Sequence, residues 1–394
     1  MEEKALPQEG KKPYLSLKTF KAAVLLVLLS LLLSLGINAV YYQILTQAVW
    51  HPVSVQPVRA EVAEPRHDAV KIIAVGDVML SRKVGRYMDQ FGLDYPFAKI
   101  KDTLLAGDIV FGNLESPIGI RGTPLPGKGI WFRAKPEAVH ALKEAGFHIM
   151  SIANNHALDY DTPNFLETIE ILTGAGIHSV GGGKNISEAR KPVIIEKKDV
   201  SVGFLAYSDM AEIFWSFQFP RMLRATDVEP GIAPLRLEEM LEDVQNLRPQ
   251  VDLLVVSLHW GVEYTDNPTS AQRDMAHALA EAGVDVILGH HPHTLHGVEV
   301  YNNTIIVYSM GNFVFDQTRR QVTQEGLLVE LEVSKTGIEK AWIVPVYLPE
   351  CQPRVAVGID ADRILEKTAR LSANLGTSLR LSSGRAEILA MSAD

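Results

Sequence analysis

One phrase recurs along this 394-residue chain and limits what it can fold into. An amphipathic helical stretch leads into a short apolar run, and the run stops at a residue that carries a lone pair. Pro136 to Gly146 sets apolar residues at 138, 139, 142 and 145 between a proline suited to a first helical turn and a glycine stop. Phe147 to Ile152 follows and gives way to Asn154-Asn155-His156. Leu235 to Leu247 is again amphipathic; Asp252 to Leu258 comes next and ends at His259-Trp260-Gly261. Ser270 to Gly283 repeats the helix, Val284 to Leu288 the strand, and Gly289-His290-His291-Pro292-His293 the polar ending. Upstream, Val70 to Val75 runs into Gly76-Asp77, and Asp108 to Phe111 into Gly112-Asn113-Leu114-Glu115.

Helices alternating with short, fully apolar strands predict an α/β fold built on a largely parallel sheet buried on both faces. In such sheets ligands bind beyond the carboxyl ends of the strands. Parallel strands bring those ends to one edge, so five strand endings distant in sequence are expected to converge on one crevice.

The convergent set is Asp77, Glu115, Asn155, His156, His259, His291 and His293. It mixes imidazole nitrogen with carboxylate and amide oxygen and contains no thiolate, which suits divalent ions such as Mn, Zn, Fe(II) or Mg. The donors exceed what one tetrahedral ion needs, so one or two ions are expected; a pair can clamp a phosphoryl group. Taken singly, His259 reads equally as a capped loop histidine, Asp77 as a helix N-cap and Asn155 as a turn residue. Four histidines within residues 290–296 are harder to assign to structure alone. Gly181-Gly182-Gly183 lacks the GK[ST] or GxGxxG frame of a phosphate loop and reads as a tight turn. No GxSxG elbow marks a serine nucleophile.

Composition narrows the class. Lys and Arg number 38 against 47 Asp and Glu, a net charge of −9, which argues against nucleic acid as the main partner. A lone cysteine, Cys351, excludes an intramolecular disulfide and a cysteine-ligated zinc. The mean hydropathy of +0.06 is high for a water-soluble enzyme. Its source is Ala22 to Tyr42, a stretch without a charge and long enough as a helix to cross a bilayer. Four lysines between residues 11 and 21 precede it, and the next charge is Arg59, so the positive-inside rule predicts a single pass with the C-terminal part extracytoplasmic. A cleaved signal peptide is the competing reading, but Ile37-Asn38-Ala39 is a poor cleavage site. The predicted layout is a cytoplasmic N-terminus (1–21), a transmembrane anchor (22–42), a proline-bearing stalk (43–68), a main domain (69–350) and a helical C-terminal extension (351–394).

The chain resembles the CapA/PgsA family of poly-γ-glutamate capsule biosynthesis proteins, which carry a metallophosphatase-like layered fold. The resemblance rests on Gly76-Asp77-Val78-Met79-Leu80, Gly112-Asn113-Leu114-Glu115, Phe132-Arg133-Ala134, Ala153-Asn154-Asn155-His156 with Asp159, His259-Trp260-Gly261-Val262-Glu263-Tyr264, Gly289-His290-His291-Pro292-His293 and Gly311-Asn312-Phe313. It implies Asp77, Glu115, Asn155, His259, His291 and His293 as metal ligands and His156 as general acid. Substrate contacts would come from Arg133, Trp260, Glu263 and Tyr264. One departure stands out: the wider superfamily's first motif is Asp-x-His, and its third position here is Met79. A thioether is a poor substitute for imidazole toward a hard ion, so one metal position has a ligand fewer.

Two functions follow. One is a metal-dependent hydrolase or transferase acting outside the membrane on a phosphoester or a linkage of an anionic cell-surface polymer. The other is a non-catalytic, polymer-binding scaffold within a capsule synthesis and export complex, in contact with a synthase or exporter. Residues 1–21 hold five lysines against three glutamates, so the remainder is two charges more acidic than the whole chain. Such a domain repels a polyanion unless local cations offset it.

Overall fold

The computed structural model describes residues 69–389. The predicted anchor, the stalk and the cytoplasmic segment lie outside the described residues; within them no helix is long and apolar enough to cross a membrane. The first sheet opens with β1 (Val70–Val78), β2 (Ile109–Leu114), β3 (Ile149–Ser151) and β4 (His178–Val180), and α1 (Arg82–Phe91), α2 (Ala138–Glu144) and α3 (Asp161–Gly174) lie between them in sequence. The second sheet takes β5 (Val193–Lys197), β6 (Val200–Ser208), β7 (Leu253–His259), β8 (Val286–His290), β9 (Val298–Tyr301) and β10 (Thr304–Val307), with α4 (Leu237–Leu247) and α5 (Ser270–Glu281). The chain then re-enters the first sheet as β11 (Asn312–Val314), β12 (Glu325–Ser334) and β13 (Gly337–Tyr347). It closes with α6 (Ile359–Ala373) and the hairpin of β14 (Leu379–Ser382) and β15 (Arg385–Ile388).

Both sheets are mixed rather than largely parallel. The first runs β14-β15-β13-β12-β1-β2-β3-β4, parallel from β1 to β4 and antiparallel from β1 outward through β12 and β13 to the hairpin. The second runs β9-β10-β8-β7-β6-β5, with four parallel strands between two antiparallel edges. The sequence reading failed at these edges because their strands return through hairpins, without the intervening helix on which it relied. Segment 351–389 is likewise more than a helical extension: α6 packs against β13 and β9, and β15 pairs with β13 through Trp342 and Ile343.

The sheets pack face to face, and the Phe111 and Phe204 rings stack across the interface at 5.8 Å. Strict alternation sorts the second sheet's side chains. Phe204, Ala206, Leu253, Val255, Val286 and Leu288 join the core shared with the first sheet. Leu205, Tyr207, Leu254, Val256, Leu258 and Ile287 point the other way, onto Met240 and Val244 of α4 and Ala276 and Leu279 of α5. Gly182 and Gly183, expected in a tight turn, instead pair with Gly231 and Ile232, and only Gly181 has the left-handed φ of 86°.

Candidate metal centre

Inward-facing polar termini of both sheets meet where the parallel strands end. β1 supplies Asp77 and β7 supplies His259; the segments after β2, β3 and β8 supply Glu115, Asn155 with His156, and His291 with His293. All seven side chains are buried. Asp77 sits in register with Asn113 of β2 on one side and Asn312 of β11 on the other. Asn113 Nδ2 donates to Asp77 Oδ1 at 2.8 Å and lies 3.2 Å from His259 Nδ1. Asn312 Nδ2 donates to Thr323 O, which turns its Oδ1 toward His293 Nδ1 at 2.9 Å. That oxygen accepts the Nδ1 proton and leaves His293 Nε2 as a lone pair, 3.8 Å from Glu115 Oε1. The turn that presents the last two imidazoles is strained: His291 and His293 have φ of 96° and 57°, a region that side-chain-bearing residues seldom adopt.

Two donor groups result, each with its ligand atoms within 4.8 Å of one another: Glu115, His259 and His291, and Asp77, Glu115 and His293. Glu115 belongs to both. Asn155 Oδ1 lies 2.9 Å from His259 Nε2 and extends the first group.

Whether a cation fits can be judged from Glu115. Its carboxylate is fully buried, and neither oxygen has a hydrogen-bond partner. Burial pushes its carboxyl well above the usual range, and the charges of Asp77 and Glu263 add to the effect. At Asp77 burial acts the same way, but hydrogen bonding and charge from His290 and His293 override it and hold the carboxyl well below the usual range. Burial also lowers His259 well below its ordinary value and, with His293 assisting, takes His291 to about 3. Neutral imidazoles beside a carboxylate without a donor are a ligand set. A buried carboxylate left uncompensated costs several kcal/mol, so the residues fit a divalent cation.

His156 lies at the rim of this cluster, with Nε2 4.0 Å from Glu115 Oε1. Its Nδ1 is 2.6 Å from Asp159 Oδ2, and the Phe132 ring stacks on it at 3.8 Å. Asp159 also accepts from the Phe132 N–H and from Lys128, whose side chain is 3% exposed and whose ammonium donates to Asn155 O as well. Burial holds His156 at about 4, so the ring is neutral near pH 7.

The remaining expected contacts range from the rim to the core. Trp260 is a core residue, not a substrate contact: one step beyond His259 the side chain switches to the outer face, where it stacks on Tyr308 and donates to Tyr308 O at 3.1 Å. The Arg133 guanidinium stacks on Tyr160 at 3.7 Å and donates to Ile120 O and Arg121 O. Glu263 is exposed, and Tyr264 stands at the rim with its ring 6.1 Å from that of His293. Met79 is buried, and its sulfur accepts from the Ser81 N–H and hydroxyl. His290, which sequence reasoning left without a role, places Nδ1 3.3 Å from Asp77 Oδ1. Asn113 and Lys128 were also missed. Asn113 had a signal, its place between a glycine and Glu115 at a strand end; Lys128 sits in a loop and had none.

The chain is similar to several bacterial proteins. The chain is 32% identical to the PGA biosynthesis protein CapA of Bacillus subtilis over 303 residues, covering 76% of this chain and 77% of that protein. It is also 32% identical to the capsule biosynthesis protein CapA of Bacillus anthracis over 319 residues, 79% of this chain and 75% of that one. Among solved structures, a phosphatase of Mycoplasma pneumoniae aligns with 71% of this chain and 94% of its own at a TM-score of 0.45 and 15% identity. The model of the bacterial capsule synthesis protein family PGA_cap matches residues 71–317, which contain every donor of the centre. The chain belongs to that bacterial capsule synthesis family.

Proposed function

We propose that this chain is a poly-γ-glutamate capsule accessory protein whose divalent-cation cleft engages the anionic polymer and hydrolyses or transfers a phosphoester or polymer linkage. The observation that carries the reading is the Glu115 carboxylate, buried without a hydrogen bond and shared by two donor groups. The names of the Bacillus relatives, a PGA biosynthesis protein and a capsule biosynthesis protein, suggest the polymer class. In this reading the domain is held at the outer face of the membrane by residues 22–42, where a capsule synthase or exporter would meet it.

Asp77, Glu115, Asn155, His259, His291 and His293 would hold one or two cations, which supply Lewis acidity and neutralise charge on a bound oxyanion. The protein's own contribution is to exclude water by burying these donors and to position a proton at His156. The Nδ1–H of that ring donates to Asp159, so Nε2 is left as the base. It must accept a proton before it can return one to a leaving oxygen.

That neutral imidazole, together with the thioether at Met79, favours a second reading in which the cleft binds polymer without turning it over. Elemental analysis of the purified full-length chain, paired with turnover assays on phosphoesters and γ-glutamyl oligomers, separates them. At least one divalent ion per chain is expected, lost in D77N/H293A. A chain free of stoichiometric metal after aerobic and anaerobic preparation would overturn the site. Metal without turnover would leave the binding role.

A further inference from the structure

Beside the metal centre lies an open pocket of about 480 Å³ whose walls include Arg82, Tyr264, Asp316, Gln317, Arg319 and Arg320. It adjoins the centre on two sides. The Tyr264 ring stands 6.1 Å from that of His293, and the Arg82 guanidinium lies 5.0 Å from the ring of Phe132, which stacks on His156. Arg82 is already committed: its Nη2 and Nε donate to the two Asp316 oxygens at 2.7 and 3.0 Å, a two-point pair that neutralises both. Arg320 lies over the Tyr264 ring at 5.3 Å, and both Arg319 and Arg320 are exposed. Among the described residues neither of these two guanidiniums has a carboxylate within ion-pairing distance. Glu263, an exposed acid, meets the Tyr264 hydroxyl but does not itself line the pocket or pair with Arg319 or Arg320.

We infer that this pocket is a carboxylate-binding subsite that holds the anionic polymer next to the metal centre. The inference rests on the polymer reading above and adds the residues that would grip it. Two guanidiniums without an ion-pair partner in one concavity form a positive spot on a chain of net charge −9, which favours the approach of a polyanion there. A guanidinium presents a planar fork of donors that matches a carboxylate at two points. Arg82, fixed by Asp316, lines the pocket and reaches the Phe132 ring that stacks on His156, and Tyr264 lies under Arg320. A polymer chain crossing the cleft would leave one carboxylate on Arg319 and Arg320 while its neighbouring linkage lies at the donor cluster.

The test is calorimetric titration of the full-length chain with a defined γ-linked glutamate oligomer, with inorganic phosphate as a second probe. R319Q/R320Q is expected to bind the oligomer at least tenfold more weakly, with a shallower dependence on salt, unchanged metal content and an unchanged melting temperature. R319K/R320K, which keeps charge but loses the fork, is expected to fall between the two. Equal affinity of the parent and R319Q/R320Q for the oligomer would overturn the subsite and leave the polymer reading standing. No oligomer binding by the parent would overturn the polymer reading and the subsite with it. Phosphate binding that is lost in R319Q/R320Q, without oligomer binding, would reassign the pocket to phosphate and overturn the carboxylate assignment.

Discussion

Neither Glu115 nor Lys128 can be treated as an ordinary charge. With both oxygens buried and unpartnered, Glu115 destabilises the metal-free protein whenever it is ionised. Glu115→Gln is therefore expected to raise the melting temperature in chelator while lowering metal content, two opposite shifts read by differential scanning fluorimetry and elemental analysis. A fall in both would make Glu115 a structural residue instead. Lys128 is the reverse case, a buried cation whose partner is Asp159. Lys128→Met removes the cation paired with that buried carboxylate and is expected to cost about 3–5 kcal/mol in a denaturant titration, much of it recovered in K128M/D159N. The two residues also mark the limits of sequence reading. Glu115 was legible because an apolar run stops just before it. Lys128 was not, since a lysine in a loop is exposed by default and only the fold reveals the carboxylate beneath it. Trp260 was misread for a simpler reason. It was grouped with His259 as a neighbour, although alternation sends adjacent strand-end residues to opposite faces.

Strand endings, as elements, were the legible part of the fold, and the close approaches that align them were not. Gly76 precedes Asp77, and a Cβ there would lie 2.0 Å from Gly311 O, where β1 meets the turn into β11. Gly76→Ala must push the two segments apart and is expected to cost about 3 kcal/mol and loosen metal binding, measured by denaturant titration and by metal competition. A second link joins the ends of β6 and β7: Asp209 Oδ2 accepts from the Gly261 N–H at 2.8 Å, while its other oxygen is buried without a partner. Burial raises its carboxyl to about 6 against these hydrogen bonds. With the folded value above the unfolded one, the protonated form favours folding, and that contribution is lost as pH rises from about 4 to 6. Asp209→Asn keeps the acceptor and cannot ionise. Its melting temperature is expected to match the parent below pH 4 and exceed it above pH 6. A constant gap across that range would assign the effect to packing.

At the scale of the whole molecule, the donors of one cluster come from both sheets, so a cation held there ties the sheets together. An ion that binds the folded chain alone stabilises it by mass action, by about 4 kcal/mol at a concentration a thousandfold above its dissociation constant. Titrating Mn or Zn into chelator-treated protein is expected to raise the melting temperature with concentration, and D77N/H293A is expected to remove the response. The return of the chain to its first sheet has a further effect, on the order of assembly. β1, among the earliest described strands, has β2 on one side and waits for β11 and β12, residues 312–334, on the other. A nascent chain halted after β8 would hold Asp77, Glu115, His156 and His259 yet lack the strands that seal the edge on which Asp77 sits. Pairing over such separations is slow, so the growing chain keeps an open strand edge until late in synthesis. Ribosome-stalled fragments ending before residue 312 should be protease-sensitive throughout, and protection should arrive in one step once β12 has emerged.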